Sequence, residues 1–160
     1  MNKRIIKIGK RIGIVCIILL AAKKIRGYVV KYKSEAEKYF SLFLMLDQWF
    51  GFKQEGKQTE KFFADRNIKK IAIYGMAQMG ETLYKELADT EIEVLYAIDK
   101  NAGELYVHCC DVLKPTDDLP AVDAVIVTPF AYFKQIKSEL KRKISCPVFS
   151  IEDVIYGMSE

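Results

Sequence analysis

The sequence predicts an α/β fold: a small, doubly wound parallel sheet of four to five strands preceded by N-terminal helices. From residue 68 onwards, short apolar runs typical of buried strands alternate with helical patterns, as in a parallel sheet with right-handed crossovers. A glycine-containing turn joins the first of these runs directly to a helix. With 160 residues, 51% of them hydrophobic, the chain can form one compact domain with an appendage, and wholesale disorder is excluded.

Charge divides the chain into a strongly basic N-terminal segment and an acidic remainder, and we expect the two to bind different partners. Residues 1–33 contain ten Lys or Arg and no Asp or Glu, whereas the remaining residues contain 15 basic and 21 acidic side chains. A globular part with this acidic excess lacks the basic surface that nucleic acid requires, so no nucleic-acid partner is expected. We predict three parts: a basic and apolar N-terminal helix over 1–33, a helical lead-in over 34–66, and an α/β domain over 67–160.

The N-terminal segment has the pattern of a membrane-surface anchor. Its uncharged run, Ile12 to Ala22, would reach roughly 16 Å as a helix, against about 30 Å of bilayer hydrocarbon. In the preceding turns the basic residues share one helical face and isoleucines another, which is typical of a helix in the headgroup plane. We expect residues 1–30 to contact an anionic membrane surface; packing against protein and a short or tilted span are the alternatives. The run leads straight into Lys23-Lys24 without a small-residue cleavage site, so removal as a signal peptide is not expected.

The lead-in carries a strong helical pattern. Ser34 and Glu37 form a capping-box signature, which predicts that a helix begins there. The helix is predicted to end near Gly56, and a shorter one to follow from about Thr59 to Arg66. Apolar residues recur at helical spacing over 34–52, and their stripe consists of Tyr39, Leu42, Phe43, Leu46, Trp49 and Phe50. We expect this helix to pack in the core of the chain; the isoleucine-rich N-terminal segment, a second subunit, a glycan-biosynthesis enzyme and lipid are the alternative covers.

Five strands and three helices are predicted in the α/β domain. The strands are expected near residues 71–74, 94–98, 107–112, 122–128 and 147–150. A helix should follow the first strand directly, a second should cover 132–143, and a third should close the domain over 151–156. Ligands of such sheets bind beyond the carboxyl ends of the strands, so the turns there are the candidate site.

The turn after the first strand resembles a phosphate-binding turn in its spacing. In such turns a first glycine makes the bend, a second lets the backbone approach a pyrophosphate, and a third lets helix and strand pack closely. Here these positions hold Gly75, Ala77 and Gly80, so the middle glycine is replaced by a residue with a methyl group. The amides that open the helix still favour an anion. The expected binding residues of this turn are Gly75, Met76, Ala77, Gln78, Met79 and Gly80.

Two further residues are expected at the same edge of the sheet. Asp99 ends the second strand nineteen residues beyond Gly80, where a carboxylate can accept hydrogen bonds from ribose hydroxyls. Asp99 also begins a good turn sequence, so a local role in backbone bonding is the alternative. Thr128, before Pro129, offers a hydroxyl at the end of the fourth strand, or simply starts a helix.

Metal-binding and catalytic groups are sparse. The four cysteines, Cys16, Cys109, Cys110 and Cys146, form no C-x-x-C pair, so no metal site is expected even beside His108. The Tyr-x-x-x-Lys pattern of Tyr96 and Lys100 spans a strand end and does not place both groups on one helix face. Without a visible acid–base pair, the catalytic residues are unknown and enzyme activity stays open.

Four segments together resemble a known family. IKKIAIYGMAQMGETLYKEL, VLYAIDKN, VDAVIVTPF and CPVFSIEDVIY are similar to the small Rossmann-like domains of bacterial surface-polysaccharide biosynthesis proteins. The resemblance covers about residues 34–160, and Gly75, Gly80 and Asp99 match its nucleotide turn, while Ala77 departs from it.

The resemblance implies a function and a setting. It implies NAD or a nucleotide-sugar as ligand and surface-polysaccharide assembly as the setting. The charge division, the altered glycine turn and the missing acid–base pair favour a non-catalytic or accessory role in that setting. With the basic N-terminal segment, the expected location is cytoplasmic, at the inner face of the cell membrane. The alternatives are an NAD(P)-dependent or sugar-modifying enzyme subunit that completes its site with a partner, and an interaction scaffold that binds no small molecule.

Overall fold

The computed structural model describes residues 3–103 and 110–159. The chain divides into two compact units, Met1–Leu44 and Met45–Glu160. The predicted boundaries at 33/34 and 66/67 rest on sequence pattern and stay predictions. The first unit is helical from Lys3 onwards, and from Cys16 to Leu44 every side chain except that of Leu42 is exposed.

Helix α1 runs without a break from Lys3 to Gln54, so the predicted helix start at Ser34 is wrong. No proline interrupts the residues before Ser34, so nothing in that segment requires the helix to begin at Ser34. Glu37, the expected partner of a capping Ser34, instead lies 3.9 Å from the ammonium of Lys33, one helical turn back. The capping-box residues therefore lie in the middle of a helix.

The last turns of α1 belong to the second unit and bury a face that the stripe prediction missed. Met45, Trp49 and Phe52 are buried, whereas Leu46 and Phe50 are exposed. Of the six residues expected to form one packed stripe, only Trp49 is buried and Leu42 half-buried, so the interpretation of that stripe as core is wrong. Position in the folded unit, rather than apolar spacing alone, decides which side of this helix is covered.

The end of α1 is fixed by a glycine cap and by a charge network. Gly56 adopts a positive φ of 77°, and the amides of Gly56 and Lys57 bond the carbonyls of Lys53 and Phe52, which confirms the predicted helix end. Helix α2, Glu60–Ala64, follows. The Lys53 ammonium pairs with the Glu86 carboxylate, which also accepts a 2.9 Å hydrogen bond from the buried Thr59 hydroxyl.

The sheet has five parallel strands in the order β3-β2-β1-β4-β5. The strands are β1 Lys70–Tyr74, β2 Glu93–Ile98, β3 Val112–Leu113, β4 Ala124–Val127 and β5 Val148–Ser150. The helices are α3 Gln78–Leu87, α4 Phe133–Leu140 and α5 Ile151–Tyr156, with short 3-10 helices at Phe130–Tyr132 and Gly157–Ser159. The predicted fold class, a small doubly wound α/β domain with N-terminal helical structure, is confirmed.

Successive side chains of each strand point to opposite faces of the sheet, and because both sets are apolar, both faces are covered by other elements. Ile136 and Leu140 of α4 pack with one set of strand residues, among them Ala72, Tyr74 and Val125. Ile71 and Ile73 point to the other side, and the buried Leu83 and Leu87 belong to α3, which crosses from β1 to β2. The order in which strands are added reverses at β1, since β2 lies on one side of it and β4 on the other. Right-handed crossovers therefore place α3 and α4 on opposite faces.

Strand β3 and helix α4 have bounds that differ from the predicted ones. The third strand was expected over 107–112, and the structure places β3 at Val112–Leu113, while residues 104–109 lie outside the described part of the chain. The helix expected over 132–143 begins with a 3-10 turn and ends earlier, at Leu140.

Within the residues that the structure describes, no helix combines the length and the apolar character needed to cross a bilayer.

Asp123 ties the start of β4 to the start of β1. Its carboxylate Oδ2 accepts hydrogen bonds from the amides of Lys69 at 2.9 Å and Lys70 at 2.7 Å, and its own amide donates to the Lys70 carbonyl at 2.7 Å. The Lys70 and Lys69 amide bonds, with a smaller contribution from the Lys70 charge, lower the pKa of Asp123 although the side chain is exposed.

We expect the Asp123→Asn variant to lose part of the acid sensitivity of folding. Because the folded-state pKa lies below the unfolded value of about 3.9, the carboxylate stabilises the fold above that value, and this contribution disappears as pH falls through the folded-state pKa. Chemical denaturation between about pH 2 and 7 should show the wild type more stable at neutral pH and the two proteins converging in acid. A difference that does not change with pH would contradict this account.

Candidate functional site

The candidate site is the turn between β1 and α3, and Gly75 makes its bend. Gly75 has a φ of 93°, which favours glycine, and its amide donates a 2.8 Å hydrogen bond to the Ile98 carbonyl. A Cβ at this position would lie 2.7 Å from Cδ of Pro129 and 2.8 Å from the Thr128 hydroxyl oxygen. Both backbone conformation and space therefore require glycine here.

Gly80 brings the start of α3 against that bend. A Cβ on Gly80 would lie 2.1 Å from the carbonyl oxygen of Gly75 and 3.2 Å from Sδ of Met76. Only the absence of a side chain allows the first turn of α3 to approach the end of β1 this closely. The third glycine thus has the packing role that the spacing of the turn predicted.

Ala77 occupies the position of the middle glycine without strain. It is the N-cap of α3, with φ −73° and ψ −171°, an extended conformation open to any residue, and its side chain is exposed. It gives the helix no side-chain cap, and the first intrahelical bond, from Glu81 to the Ala77 carbonyl, measures 3.1 Å. The methyl group therefore points into solvent and leaves the start of the helix open.

The first amides of α3 supply the electrostatics of this site. Those of Gln78, Met79 and Gly80 precede the first intrahelical bond, so the helix itself offers them no acceptor. Gln78 is exposed and Met79 half-buried. The N-terminal end of a helix carries a partial positive charge, so this edge favours an anionic group.

Met76 contributes to the fold of the turn rather than to its open surface. Its side chain is completely buried, and its amide donates to Oδ2 of Asp99 at 3.1 Å. The sequence placed Met76 among the binding residues; the structure places its side chain in the core and engages its amide within the protein.

Asp99 lies at the turn, as predicted, and both of its oxygens are engaged. Oδ2 accepts from the Met76 amide, and Oδ1 accepts from the Asn101 amide at 2.9 Å. The local role in backbone bonding is therefore real. Each carboxylate oxygen can accept a second hydrogen bond, so the half-buried side chain can hold the turn and also accept from a ligand hydroxyl.

Thr128 fastens β4 to the same turn. Its hydroxyl donates to the Gly75 carbonyl at 2.7 Å and lies 3.2 Å from the Tyr74 carbonyl, and its amide donates to the latter at 3.0 Å. Pro129 then makes a tight inverse turn, with a 2.8 Å bond from the Phe130 amide to the Thr128 carbonyl. The buried Thr128 hydroxyl is a positioning group for Gly75 and does not face solvent.

Tyr74 is a polar residue at this edge that sequence reasoning did not single out. Its hydroxyl is buried and has no hydrogen-bond partner within the described part of the chain. Burial, and then the negative charges of Glu139 and Asp99, raise the pKa of the Tyr74 phenol, so it is neutral at pH 7. A single polar side chain ending an otherwise apolar strand, directly before a glycine, was the available signal.

Metal ligands and cysteine thiols were the other groups considered in the sequence. Among residues 3–103 and 110–159, no group of three or more His, Cys, Asp and Glu side chains is arranged to hold a metal ion. His108 and Cys109 lie outside the described residues. Burial raises the pKa of the Cys146 thiol, which disfavours its reactive thiolate form.

Comparisons of the chain with protein-family models, with curated proteins and with solved structures give no match.

We expect Gly80→Ala to destabilise the second unit and Gly51→Ala to stabilise it. Both replacements gain helix propensity, about 1 kcal/mol. Nothing lies within 4 Å of a Cβ at Gly51, whereas the Gly80 methyl group would overlap the Gly75 carbonyl, an overpacking cost of about 1–3 kcal/mol. Denaturant unfolding measures both changes, and a Gly80→Ala protein as stable as Gly51→Ala would refute the close contact.

Proposed function

We propose that this protein binds a phosphate-containing small molecule, a nucleotide such as NAD or a nucleotide-sugar, at the turn between β1 and α3. The observation that carries the proposal is the contact between Gly80 and the Gly75 carbonyl, because it holds the uncapped start of α3 against the end of β1. A ligand phosphate would accept hydrogen bonds from the amides of Gln78, Met79 and Gly80.

The strand order supports this location. β1 lies next to β4, and the helices that follow the carboxyl ends of these two strands, α3 and α4, lie on opposite faces of the sheet. In open α/β sheets, ligands bind in the crevice at such a reversal. Asp99 after β2 would accept from a ribose hydroxyl, and Thr128 after β4 would hold the bend that the phosphate approaches.

Binding, rather than catalysis by this chain alone, is the role that the geometry favours. The carboxylate of Asp99 and the hydroxyl of Thr128 both bond backbone groups of the turn, so their first task is to keep its shape. We therefore propose an accessory, nucleotide-binding protein. Its setting in bacterial surface-polysaccharide biosynthesis comes from the resemblance of the four segments and is part of the same proposal.

We expect Ala77→Asp to abolish nucleotide binding while raising stability. An aspartate at the N-cap accepts from the free amides and stabilises α3 by about 1 kcal/mol, and its charge repels a ligand phosphate from those amides. Ala88→Asp places the same charge at the exposed C-terminal end of the same helix and is the matched control. Calorimetric titration of each full chain with NAD and with UDP-glucose measures binding.

The expected result is heat of binding with wild type and Ala88→Asp, and none with Ala77→Asp. Thermal unfolding should show Ala77→Asp at least as stable as wild type, which separates a blocked site from a damaged fold. No heat from wild type with any nucleotide, or equal binding by both aspartate variants, would refute the site.

The second part of the proposal concerns membrane attachment. Residues 1–33 carry ten basic side chains and no acidic one, around an apolar run from Ile12 to Ala22. Ile17, Ile18, Leu19 and Leu20 are each at least 60% exposed, so the structure gives them no protein cover in the described chain. We propose that this segment binds the anionic inner face of the cell membrane as a peripheral anchor.

We expect flotation with vesicles to require anionic lipid and to weaken with salt. Each basic residue at such a surface contributes about 1 kcal/mol, so Lys23→Gln with Lys24→Gln should weaken binding roughly 30-fold. Lys141→Gln with Lys143→Gln removes the same charge from exposed positions of the second unit and should leave flotation unchanged. Equal flotation with neutral vesicles at high salt would contradict electrostatic attachment.

A further inference from the structure

Two buried tyrosines lie on the same face of the sheet and differ in their hydrogen bonding. Tyr74 of β1 and Tyr96 of β2 are 4% and 3% exposed, and both belong to the apolar cluster that includes Ile136 and Leu140 of α4. The Tyr96 hydroxyl donates a 2.7 Å hydrogen bond to the Pro120 carbonyl. The Tyr74 hydroxyl is buried and bonds no group among residues 3–103 and 110–159.

A buried hydroxyl without a partner costs stability, and a phenylalanine would fill the same place without that cost. In the unfolded chain the hydroxyl bonds water, and folding removes those bonds without replacing them. Buried polar side-chain atoms of native proteins nearly always have a partner, so an exception indicates a group that the chain does not supply itself. The Tyr74 hydroxyl is therefore a candidate to bond a ligand.

Tyr74 ends β1 at the edge where the phosphate of the proposed ligand would bind. Its carbonyl accepts from the Thr128 amide at 3.0 Å, and it directly precedes Gly75, whose carbonyl lies against Gly80 of α3. Its side chain points to the face that α4 covers, opposite α3. A ligand that lies across the crevice between these helices, with its phosphate at α3, extends beyond the phosphate toward the face of the Tyr74 hydroxyl.

The charges around this hydroxyl favour an uncharged partner. Burial raises the pKa of the Tyr74 phenol, and the negative charges of Glu139 and Asp99 raise it further. The same negative charges disfavour a second phosphate at this point. A sugar hydroxyl can accept from the phenol and donate to a carboxylate, so it suits these surroundings.

The turn between β4 and α4 offers a route to this hydroxyl. Each residue of the 3-10 helix Phe130–Tyr132 is exposed or half-buried, and Tyr132 is 54% exposed. Phe133, which follows, is partly buried against the cluster that contains Tyr74. Because little buried area holds this turn, its displacement by a ligand costs less than that of the buried strands beneath it.

We infer that the Tyr74 hydroxyl bonds a sugar hydroxyl of the ligand and so selects a nucleotide-sugar over a nucleotide that ends at its phosphate. The inference rests on the proposed phosphate binding at the start of α3 and names the group beyond the phosphate. The hydroxyl destabilises the ligand-free chain and strengthens binding of the sugar, so stability and affinity oppose each other at this position.

Tyr74→Phe and its matched control, Tyr96→Phe, test the inference first in the ligand-free full chain. Both remove one hydroxyl from a buried tyrosine of the same cluster. In denaturant unfolding, Tyr74→Phe should have a midpoint above that of wild type, because it removes an unpartnered polar group. Tyr96→Phe should have a lower midpoint, because it leaves the Pro120 carbonyl without its donor.

Calorimetric titration with UDP-glucose and with UDP is the second measurement. Tyr74→Phe should bind UDP as wild type does and UDP-glucose about tenfold more weakly, whereas Tyr96→Phe should bind both as wild type does. UDP-glucose bound equally by wild type and Tyr74→Phe would overturn this inference and leave phosphate binding intact. So would a Tyr74→Phe chain destabilised as much as Tyr96→Phe, because the hydroxyl would then already be bonded, for example to water. A wild type that binds neither compound would refute the proposed function and this inference with it.

Discussion

The carbonyl oxygen of Gly75 occupies the space in which a side chain on residue 80 would lie, and the arrangement of the sheet edge follows from that contact. This contact requires two glycines for different reasons. Residue 75 has a positive φ, and residue 80 lies too close to the carbonyl of residue 75 to carry a side chain. Thr128 from β4 and Asp99 from β2 then bond the same turn, so neighbours on both sides of β1 hold it. The uncapped amides of α3 are presented by a rigid frame.

Local chemistry made much of this edge predictable. The signals are local: short apolar strands, the spacing of Gly75 and Gly80, and an aspartate at the end of the second strand. Each depends only on residues a few positions away, so the sequence alone predicted where these features lie. The burial of the Met76 side chain and the hydrogen bond of its amide to Asp99 were not predictable, because both depend on β2 lying beside β1. Tyr74 was missed for a similar reason, because its hydroxyl, which has no hydrogen-bond partner among the described residues, is buried where α4 packs over the strand.

Helix α1 illustrates the opposite case, in which local signals pointed the wrong way. Ser34 and Glu37 satisfy a helix-start signature, yet the same residues fit a continuous helix in which Glu37 faces Lys33. The aromatic spacing indicated a packed stripe, whereas the folded unit buries Met45, Trp49 and Phe52. Apolar periodicity identifies a face that needs cover, but only the fold reveals whether the cover comes from the same chain.

The ion pair between Lys53 and Glu86 joins the end of α1 to the last turn of α3, with Thr59 bonded to the same carboxylate. Helix α3 is therefore held at its C-terminal end by the ion pair with Lys53 of α1, and at its N-terminal end by the contact of Gly80 with the Gly75 carbonyl. One carboxylate thus serves two segments, and its loss would leave the Lys53 ammonium and the Thr59 hydroxyl without their shared acceptor. The end of α1 and the last turn of α3 therefore depend on the same side chain, one helix length away from the uncapped amides.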